Sequence, residues 1–420
     1  MMNLPPWAKT LRYGFAPTFW IANTLELFER LAFYGSKAVL AKFLIEKVGL
    51  DNGAALTGLF AGLIFFLPVI AGVFVDKYGF RKTLMTCFFI FSIGYFLIGM
   101  AGIGFSQELV AIVGKKLYVI IVLVLTAVGG SLIKPCIVGT VAKTTTPDTK
   151  AMGFSIYYTL VNIGGAAGPL VAMQVRENLG IEYVLVMSSI TSTLLFLGTF
   201  LFFKEPVGQA GEVAETRTFA KVFSDMLLVF RNFKFISFLI IFSGFWIMFW
   251  QVFMSFPFYV TDVLHYGRFE LFETIDALGV IILTIPVAAL VKKWKSFTAM
   301  TIGFVFASLS WLVIGFGGTL TTAVIGIGIY SIGEATQSPR FYEYVSSLAP
   351  PGQVGTFMGF AFLPVAIGSF LAGLLADFLR TTYLTTNPSM MWFIVAGVGL
   401  FSTTLMVIYN FVFGQQTIQK

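Results

Sequence analysis

The stretch ELFERLAFYG, residues 26–35, places two carboxylates and a guanidinium inside the first long apolar segment of the chain. A helix that crosses about 30 Å of hydrocarbon needs roughly 20 predominantly apolar residues, and the surrounding segment is long enough. The charged groups of ELFERLAFYG therefore lie in a predicted membrane-spanning helix, where charge is rare and costly.

The composition indicates the same class of protein. Of the 420 residues, 57% are hydrophobic and only 11% are charged. Backbone polar groups have no water partner in a bilayer, so spanning segments must be helices or the strands of a closed barrel. The apolar runs are continuous rather than alternating, which indicates helices. We therefore expect an all-α polytopic membrane protein.

The apolar runs predict twelve membrane-spanning helices in two six-helix bundles around a central cavity. Residues 204–232, KEPVGQAGEVAETRTFAKVFSDMLLVFRN, separate the halves, and the apolar spacing of their second part predicts a short amphipathic helix. The expected domains are a bundle at 1–203, a cytoplasmic linker at 204–232 and a bundle at 233–420. The spans are predicted to begin near Thr18, Ala54, Lys82, Lys116, Met152, Tyr183, Phe233, Glu270, Phe297, Thr321, Gly355 and Met390.

Lysine and arginine residues concentrate on one side of the predicted membrane. Lys9 and Arg12 precede the first span, and KKWK at 292–295 lies in a loop on the same side. Because cytoplasmic loops are enriched in basic residues, we expect a multi-pass protein of the cell membrane with both termini in the cytoplasm. The same bias accounts for the net charge of +7, so we expect no nucleic-acid partner.

The cysteine and histidine residues of the sequence do not form a pattern typical of a disulfide, a metal site or a catalytic site. Cys87 and Cys136 fall inside apolar spans, which predicts neither a disulfide nor a metal site. His265 is alone in a polar stretch, and we expect it in a loop. We expect no enzymatic activity and no cofactor. The lipid bilayer is an expected partner, and the expected state is a monomer.

The charge of the first span is confined to one face. At 100° per residue, Glu26, Glu29, Arg30 and Lys37 fall within an arc of roughly 100°. Each charged group costs roughly 3 kcal/mol at a helix centre. We expect this face to pair its charges and to line a wet cavity, which would mark a transport path. The alternative is an ion cluster that only fixes helix packing.

Two other spans supply opposite charges. Glu26 and Arg30 can pair at i,i+4, which leaves Glu29 in need of a cation such as Lys134 in GGSLIKPC, residues 129–136. A Glu–Lys contact that one proton breaks would act as a switch. Glu334 in the tenth span adds an acid. A zwitterion with separated ends, such as a short peptide, suits a cavity with these two poles.

Several motifs carry a family resemblance. GVFVDKYGFRK at 72–82 resembles the loop between spans two and three of the major facilitator superfamily, which locks helices on the cytoplasmic side. ELFERLAFYG is similar to the ExxER motif and aromatic pair of the proton-coupled oligopeptide transporters. Similar matches follow in order at GGSLIKPC with FSIYYTLVNIGG (154–165), GFWIMFWQ (244–251), and GEATQSP (333–339) with YEYVSSLAP (342–350). The chain resembles a twelve-helix member of this peptide family.

The resemblance implies proton-coupled symport of di- and tripeptides by alternating access. Tyr34, Tyr158 and Trp246 would serve packing equally well as binding. The implied roles are proton coupling for Glu26, Glu29, Arg30 and Lys134, substrate binding for Tyr34, Lys37, Lys134, Tyr158, Asn162, Trp246, Gln251, Glu334 and Ser338, and gating for Lys37, Asp276, Asp76 and Arg81.

The chain departs from the family pattern at several positions, among them three that bear on charge. Trp250 stands where an acid is common in the seventh span, Lys37 replaces an arginine, and Asp276 replaces an asparagine. We expect Asp276 to pair with Lys37 in place of the lost acid, or else to sit in a watery vestibule without a role. These changes make the pocket more apolar. A second function therefore stays open, transport of another small solute such as a peptide-like drug or a modified amino acid.

Overall fold

The computed structural model describes residues 14–104, 107–206, 218–350 and 353–413. Over these ranges the chain is helical, with no strand. The N-terminal segment with Lys9 and Arg12, the first part of the linker at 207–217 and the tail at 414–420 lie outside the described residues. The expected cytoplasmic position of both termini therefore stays a prediction.

The twelve predicted spans are confirmed, since each predicted start lies inside a helix or within one residue of it. The second span is formed by two helices that meet at a bend of 48°. The helices are α1 Pro17–Lys42, α2 Gly53–Phe66, α3 Pro68–Tyr78, α4 Phe80–Met100, α5 Gln107–Val113, α6 Lys115–Thr144, α7 Pro147–Asn178, α8 Ile181–Phe202, α9 Phe219–Arg231, α10 Phe233–Val263, α11 Glu270–Leu290, α12 Ser296–Gly317, α13 Leu320–Leu348, α14 Thr356–Tyr383 and α15 Pro388–Phe413.

Two of the twelve spans differ from the others in polarity. In the described part of the chain, nine helices are long and apolar enough to cross a membrane, or ten if α2 and α3 count as one span. Helices α1 and α13 fall outside that number, although their 26 and 29 residues suffice in length. Both carry several charged residues, and a charged membrane helix usually faces the protein interior or a wet cavity.

The described chain separates into two compact units. One contains residues 1–36 and 67–222, and the other contains residues 37–66 and 223–420. The boundary falls inside the continuous helix α1, between Ser36 and Lys37. Helix α9 lies in the second part of the predicted linker, and the expected division of the chain at residues 204–232 stays a prediction.

In the first unit, α1 lies unusually close to α7. A Cβ atom added to Gly168 would lie 2.7 Å from the Leu31 carbonyl oxygen, and one added to Gly164 would lie 2.6 Å from the Arg30 Cβ. Two glycines four residues apart allow helix backbones to approach in membranes. Ser36 adds a 2.6 Å hydrogen bond to Ser188 of α8. These contacts fix α1 against its neighbours and hold its charged face in place.

In the second unit, α2 makes an equally close contact with α14. A Cβ atom on Gly58 would lie 2.5 Å from the Ser369 carbonyl oxygen, and one on Gly373 would lie 2.5 Å from the Ala54 carbonyl oxygen. Asp377 of α14 accepts hydrogen bonds from the first backbone N–H groups of α2, at Ala54 (3.2 Å) and Ala55 (2.8 Å). A carboxylate there satisfies donors that have no partner within the helix.

The contact between α1 and α7 predicts a packing defect in Gly168→Ala. The added methyl group collides with the α1 backbone, and overpacking of this kind costs typically about 1–3 kcal/mol. The apparent melting temperature of the detergent-solubilised protein should fall. Gly397→Ala is the matched control, because a Cβ atom at that helical glycine meets nothing within 4 Å. Equal melting temperatures for the two variants would contradict the close contact.

Candidate functional sites: two charged clusters

The first cluster lies in the first unit and brings together the four residues predicted for proton coupling. Glu26, Glu29 and Arg30 are 0%, 2% and 4% exposed. Lys134 reaches them from α6, with its side chain 26% exposed. Burial of these charges requires pairing within the protein, and the geometry supplies it.

Glu26 is the centre of the first cluster. Its Oε1 atom accepts a hydrogen bond from the Lys134 ammonium at 3.1 Å and lies 3.6 Å from the Arg30 Nε. The Tyr157 hydroxyl donates to the same oxygen at 3.3 Å and accepts from Lys134 at 2.9 Å. The other oxygen, Oε2, is buried without a hydrogen-bond partner among the described residues. One oxygen thus carries all the contacts, and the other is open to a proton.

Glu29 pairs with Arg30, its neighbour in sequence. The guanidinium donates from Nη2 to Oε1 at 2.8 Å and from Nε to Oε2. The expectation that Lys134 would serve Glu29 is therefore wrong for this structure, because the lysine binds Glu26. A two-point contact with a planar guanidinium already uses both oxygens of Glu29, and Glu26 is the acid that Lys134 can serve.

Tyr157 is a member of the first cluster that was not predicted from the sequence. The predicted residue was its neighbour Tyr158, which is 55% exposed. Consecutive helical residues point about 100° apart, so only one of the two tyrosines can reach Glu26. Asn162 donates to the Tyr158 carbonyl oxygen at 2.9 Å. Tyr34 packs edge-on against Phe33 at 5.6 Å.

The second cluster lies in the second unit and centres on Lys37, which is 6% exposed. Its ammonium stands over three aromatic rings of α10, at 4.9 Å from the centre of Phe249, 4.2 Å from Trp250 and 3.4 Å from Phe253. A desolvated cation over an aromatic face gains about 2 kcal/mol. Aromatic faces thus surround the lysine. One of them belongs to Trp250, which stands where the family pattern leads us to expect an acid.

Acids of α11 and α13 lie in the field of Lys37. The lysine interacts electrostatically with Glu273, Asp276 and Glu334. Asp276, 5% exposed, accepts a 2.8 Å hydrogen bond from the hydroxyl of Ser331. The carboxylate predicted as the new partner of Lys37 is thus also tied to α13, and its pairing with Lys37 stays a prediction.

The other predicted substrate residues take different positions in the second unit. Gln251 is fully buried, donates to the Ala372 carbonyl oxygen at 3.1 Å and accepts from Ser255. Trp246 and Glu334 each keep a buried polar atom, Nε1 and Oε2, without a hydrogen-bond partner in the described ranges. Ser338 accepts from the side chain of Gln337 at 3.0 Å. Gln251 is thus engaged in helix packing, while Trp246 and Glu334 have atoms free to bind.

The predicted gating loop contains an interaction that the motif alone did not reveal. Gly79, with φ +83, precedes α4, and the Glu205 carboxylate accepts from the backbone N–H groups of Phe80 (2.6 Å) and Arg81 (2.9 Å). The Arg81 side chain also donates to the Phe200 carbonyl oxygen. Asp76 is exposed at the end of α3. The loop is thus fastened to the end of α8 and to the residues that follow it.

A further set of polar contacts joins the ends of α1 and α10 in the second unit. Both helices end in a π-helical turn, Phe43–Lys47 and Tyr259–Val263. The Lys42 ammonium donates to the Thr261 hydroxyl at 2.9 Å and lies 3.9 Å from an Asp262 oxygen. Nothing in the sequence pattern marked these residues, because the contact depends on where the two helices end.

Twelve spans and two clusters of buried charge define a polytopic membrane protein of the transporter class. The family model of the Major Facilitator Superfamily matches residues 27–373, and the chain belongs to this superfamily. The all-α fold expected from the sequence is confirmed.

Similar proteins include transporters of two kinds. The chain is 23% identical to the multidrug resistance protein MdtH of Photorhabdus laumondii, with 88% of each chain covered. It is 22% identical to dipeptide and tripeptide permease B of Photorhabdus asymbiotica, again with 88% of each covered. A solved POT family transporter in complex with a thioalcohol-conjugated peptide superposes with a TM-score of 0.77, at 17% identity and 96% coverage of both chains. The resemblance predicted from the motifs is confirmed.

The pairing in the first cluster predicts a specific energetic coupling. Lys134→Gln should destabilise the protein by about 1–3 kcal/mol, because Glu26 loses its cation while Lys134 is only partly buried. Adding Glu26→Gln should restore part of the loss, since no unpaired charge then remains. Thermal melting of the four proteins of this cycle measures the coupling.

The control is the same cycle built with Glu29→Gln, whose coupling to Lys134 should be smaller, because the Lys134 ammonium binds Glu26. A coupling of Lys134 to Glu29 that equals or exceeds its coupling to Glu26 would contradict the assigned pairs.

Proposed function

We propose that the protein is a secondary active transporter that takes up di- and tripeptides together with protons by alternating access. The observation that carries the proposal is the contact of Lys134 with a buried carboxylate whose second oxygen is unoccupied. A proton on Glu26 removes the charge of the carboxylate and so weakens this contact. Proton binding and the availability of a cation are thereby linked.

The coupling step follows from these charges. When Glu26 is ionised, its carboxylate holds Lys134 and the lysine is not available to another anion. A proton from water that binds Oε2 removes the negative charge, and Lys134 can then bind the carboxylate of a peptide. Tyr157, which contacts both groups, keeps a hydrogen bond to Glu26 in either state. Arg30 stays neutralised by Glu29 and preserves the rest of the cluster.

The second unit supplies the opposite pole. Glu334 has a buried oxygen without a hydrogen-bond partner in the described part of the chain, and an ammonium group of the substrate is a fitting ligand for it. Trp246, with its unpartnered Nε1, offers a donor and an apolar wall. A peptide carries both an amino and a carboxyl charge, and each cluster by itself offers a counter-charge for one of them. The named function of permease B supports the same substrate class.

The proposal includes further features. We propose a monomer in the cell membrane with both termini in the cytoplasm and with the proton gradient as its energy source. The proposed transport uses no cofactor and involves no enzymatic reaction. Lys42, Asp262 and Asp377 would close the outer side, and the loop with Asp76, Arg81 and Glu205 would act on the cytoplasmic side.

A second candidate function is proton-coupled transport of another small solute on the same fold. The aromatic surroundings of Lys37, with Trp250 at the position of an acid, favour a more apolar substrate than a family member with an acid there would take. The multidrug resistance protein among the relatives supports this alternative. A solute without a free amino group would not require Glu334.

The coupling step predicts a separation of two activities in Glu26→Gln. The amide cannot release a proton, so accumulation of a dipeptide driven by a pH gradient should be lost in proteoliposomes. Exchange of labelled for unlabelled dipeptide, which needs no net proton movement, should persist. Glu29→Gln is the comparison, and its exchange should also persist. Gradient-driven accumulation by Glu26→Gln at the parent level would contradict the coupling role of Glu26.

The two poles predict how a blocked peptide binds. Acetylation of the amino terminus should weaken binding about thirtyfold in the parent, because one charge-assisted contact of about 2 kcal/mol is lost. In Glu334→Gln the same modification should have a much smaller effect. Competition against a labelled dipeptide measures both affinities. Equal binding of the free and the acetylated peptide by the parent would favour the second candidate function.

A further inference from the structure

Glu273 of α11 is a buried acid that the proposed function does not use. Its side chain is 4% exposed, and both carboxylate oxygens are buried without a hydrogen-bond partner among the described residues. An ionised carboxylate in such a position has lost its hydration. This desolvation is strongly unfavourable unless a nearby positive charge compensates it. The position of Glu273 therefore requires either a nearby cation or a bound proton.

The surroundings of Glu273 offer one cation and further acids. Lys37 of α1 interacts with it electrostatically, while Glu270 and Asp276 of the same helix oppose its charge. The three acids recur at intervals of three residues, which places them along one side of α11. Glu334 of α13 in turn interacts with Asp276 and Lys37. A single lysine cannot neutralise all of these carboxylates at once.

Asp276 and Glu273 differ in how they are held. Asp276 has a hydroxyl donor from Ser331 at 2.8 Å, and a carboxylate with such a donor is stabilised in its charged form. Neither oxygen of Glu273 has a donor in the described part of the chain. The position of Glu273 in the first turn of α11 brings it near the positive end of the helix dipole. Glu270 lies in the same first turn and in the same dipole field. The field favours negative charge there, but it does not supply a hydrogen bond to either oxygen of Glu273.

We propose that Glu273 is a second proton-binding site of the transporter and that it exchanges its proton against the charge of Lys37. With the proton bound, Glu273 is neutral and Lys37 is left to Asp276 and Glu334. With the proton released to water, the carboxylate becomes a further counter-ion for the lysine. The only bond that forms or breaks is the O–H bond of the carboxyl group. Transport of this proton rests on the proposed function, whereas its binding does not.

The binding of the proton can be tested on the full chain in lipid without any substrate. Infrared difference spectra between acidic and alkaline buffer resolve the C=O stretch of a protonated carboxyl group from the bands of a carboxylate. Glu273→Gln should lack one C=O band that the parent shows. Asp276→Asn, one helical turn away, is the matched control and should keep that band. A parent spectrum that Glu273→Gln reproduces in full would overturn the proposal.

Two further variants distinguish the loss of a proton-binding carboxyl group from a folding defect in Glu273→Gln. Glu273→Asp keeps the acid and should displace the band rather than remove it. In Lys37→Ala the band should persist into buffer about one pH unit or more alkaline of the parent, because the cation that favours the carboxylate is gone. A band that neither variant changes would assign the signal to another acid and overturn the proposal.

Transport of the proton is tested by the flux ratio in proteoliposomes. The number of protons that enter with each dipeptide should be lower by one in Glu273→Gln than in the parent. An unchanged ratio would overturn the transport role of Glu273. If the parent moves no dipeptide at all, the proposed function fails, and the infrared spectra still decide whether Glu273 binds a proton.

Discussion

A charge inside a membrane helix must find its counter-charge within the protein, and α1 carries five charged residues. Glu26 has no exposed surface, and a single oxygen of its carboxylate meets Lys134, Tyr157 and Arg30. Lys134 and Tyr157 belong to α6 and α7, so these helices must lie where their polar atoms reach α1. The glycines of α7 permit the close approach of the helices, and the buried ion pairs require it because they leave no charge without a partner.

The two charged clusters compensate their buried charges by different interactions. In the first cluster both Arg30 and Lys134 have a carboxylate within hydrogen-bond reach. In the second unit the ammonium of Lys37 is held by aromatic faces, while Glu273 and Glu334 keep buried oxygens without a bond in the described ranges. A cluster with unoccupied acceptors can take up a proton or an ammonium group without first breaking a contact. The first cluster offers one such acceptor, Glu26 Oε2, whereas the second offers acceptors on two carboxylates.

The spans could be predicted from the sequence because one physical constraint, the absence of water around the backbone, acts on each apolar segment separately. The pairing inside the first cluster could not, since the partner of Lys134 depends on how α6 crosses α1. The sequence also did not show that Tyr157, and not Tyr158, reaches Glu26. The two side chains point about 100° apart around the axis of α7, and which of them faces α1 depends on how the helices pack. Glu273 carried a usable signal, because it lies three residues before Asp276. The carboxylates of Glu205 and Asp377 carried none, since each caps a helix distant in sequence.

The exchange of arginine for lysine at position 37 fits the loss of the acid at position 250. A guanidinium is planar, presents its donors as a fork and is best satisfied by a carboxylate that accepts two of them. With Trp250 in that place, such a fork would lack the carboxylate that the family pattern leads us to expect there. A compact ammonium group instead fits among the rings of Phe249, Trp250 and Phe253, all within 5 Å of its nitrogen. Because aromatic faces compensate a cation only in part, the remaining demand for negative charge falls on the acids of α11. If Asp276 pairs with Lys37 as predicted, the substitutions at 37 and 250 and the acid at 276 form one rearrangement, in which the counter-charge lies on α11 instead of α10.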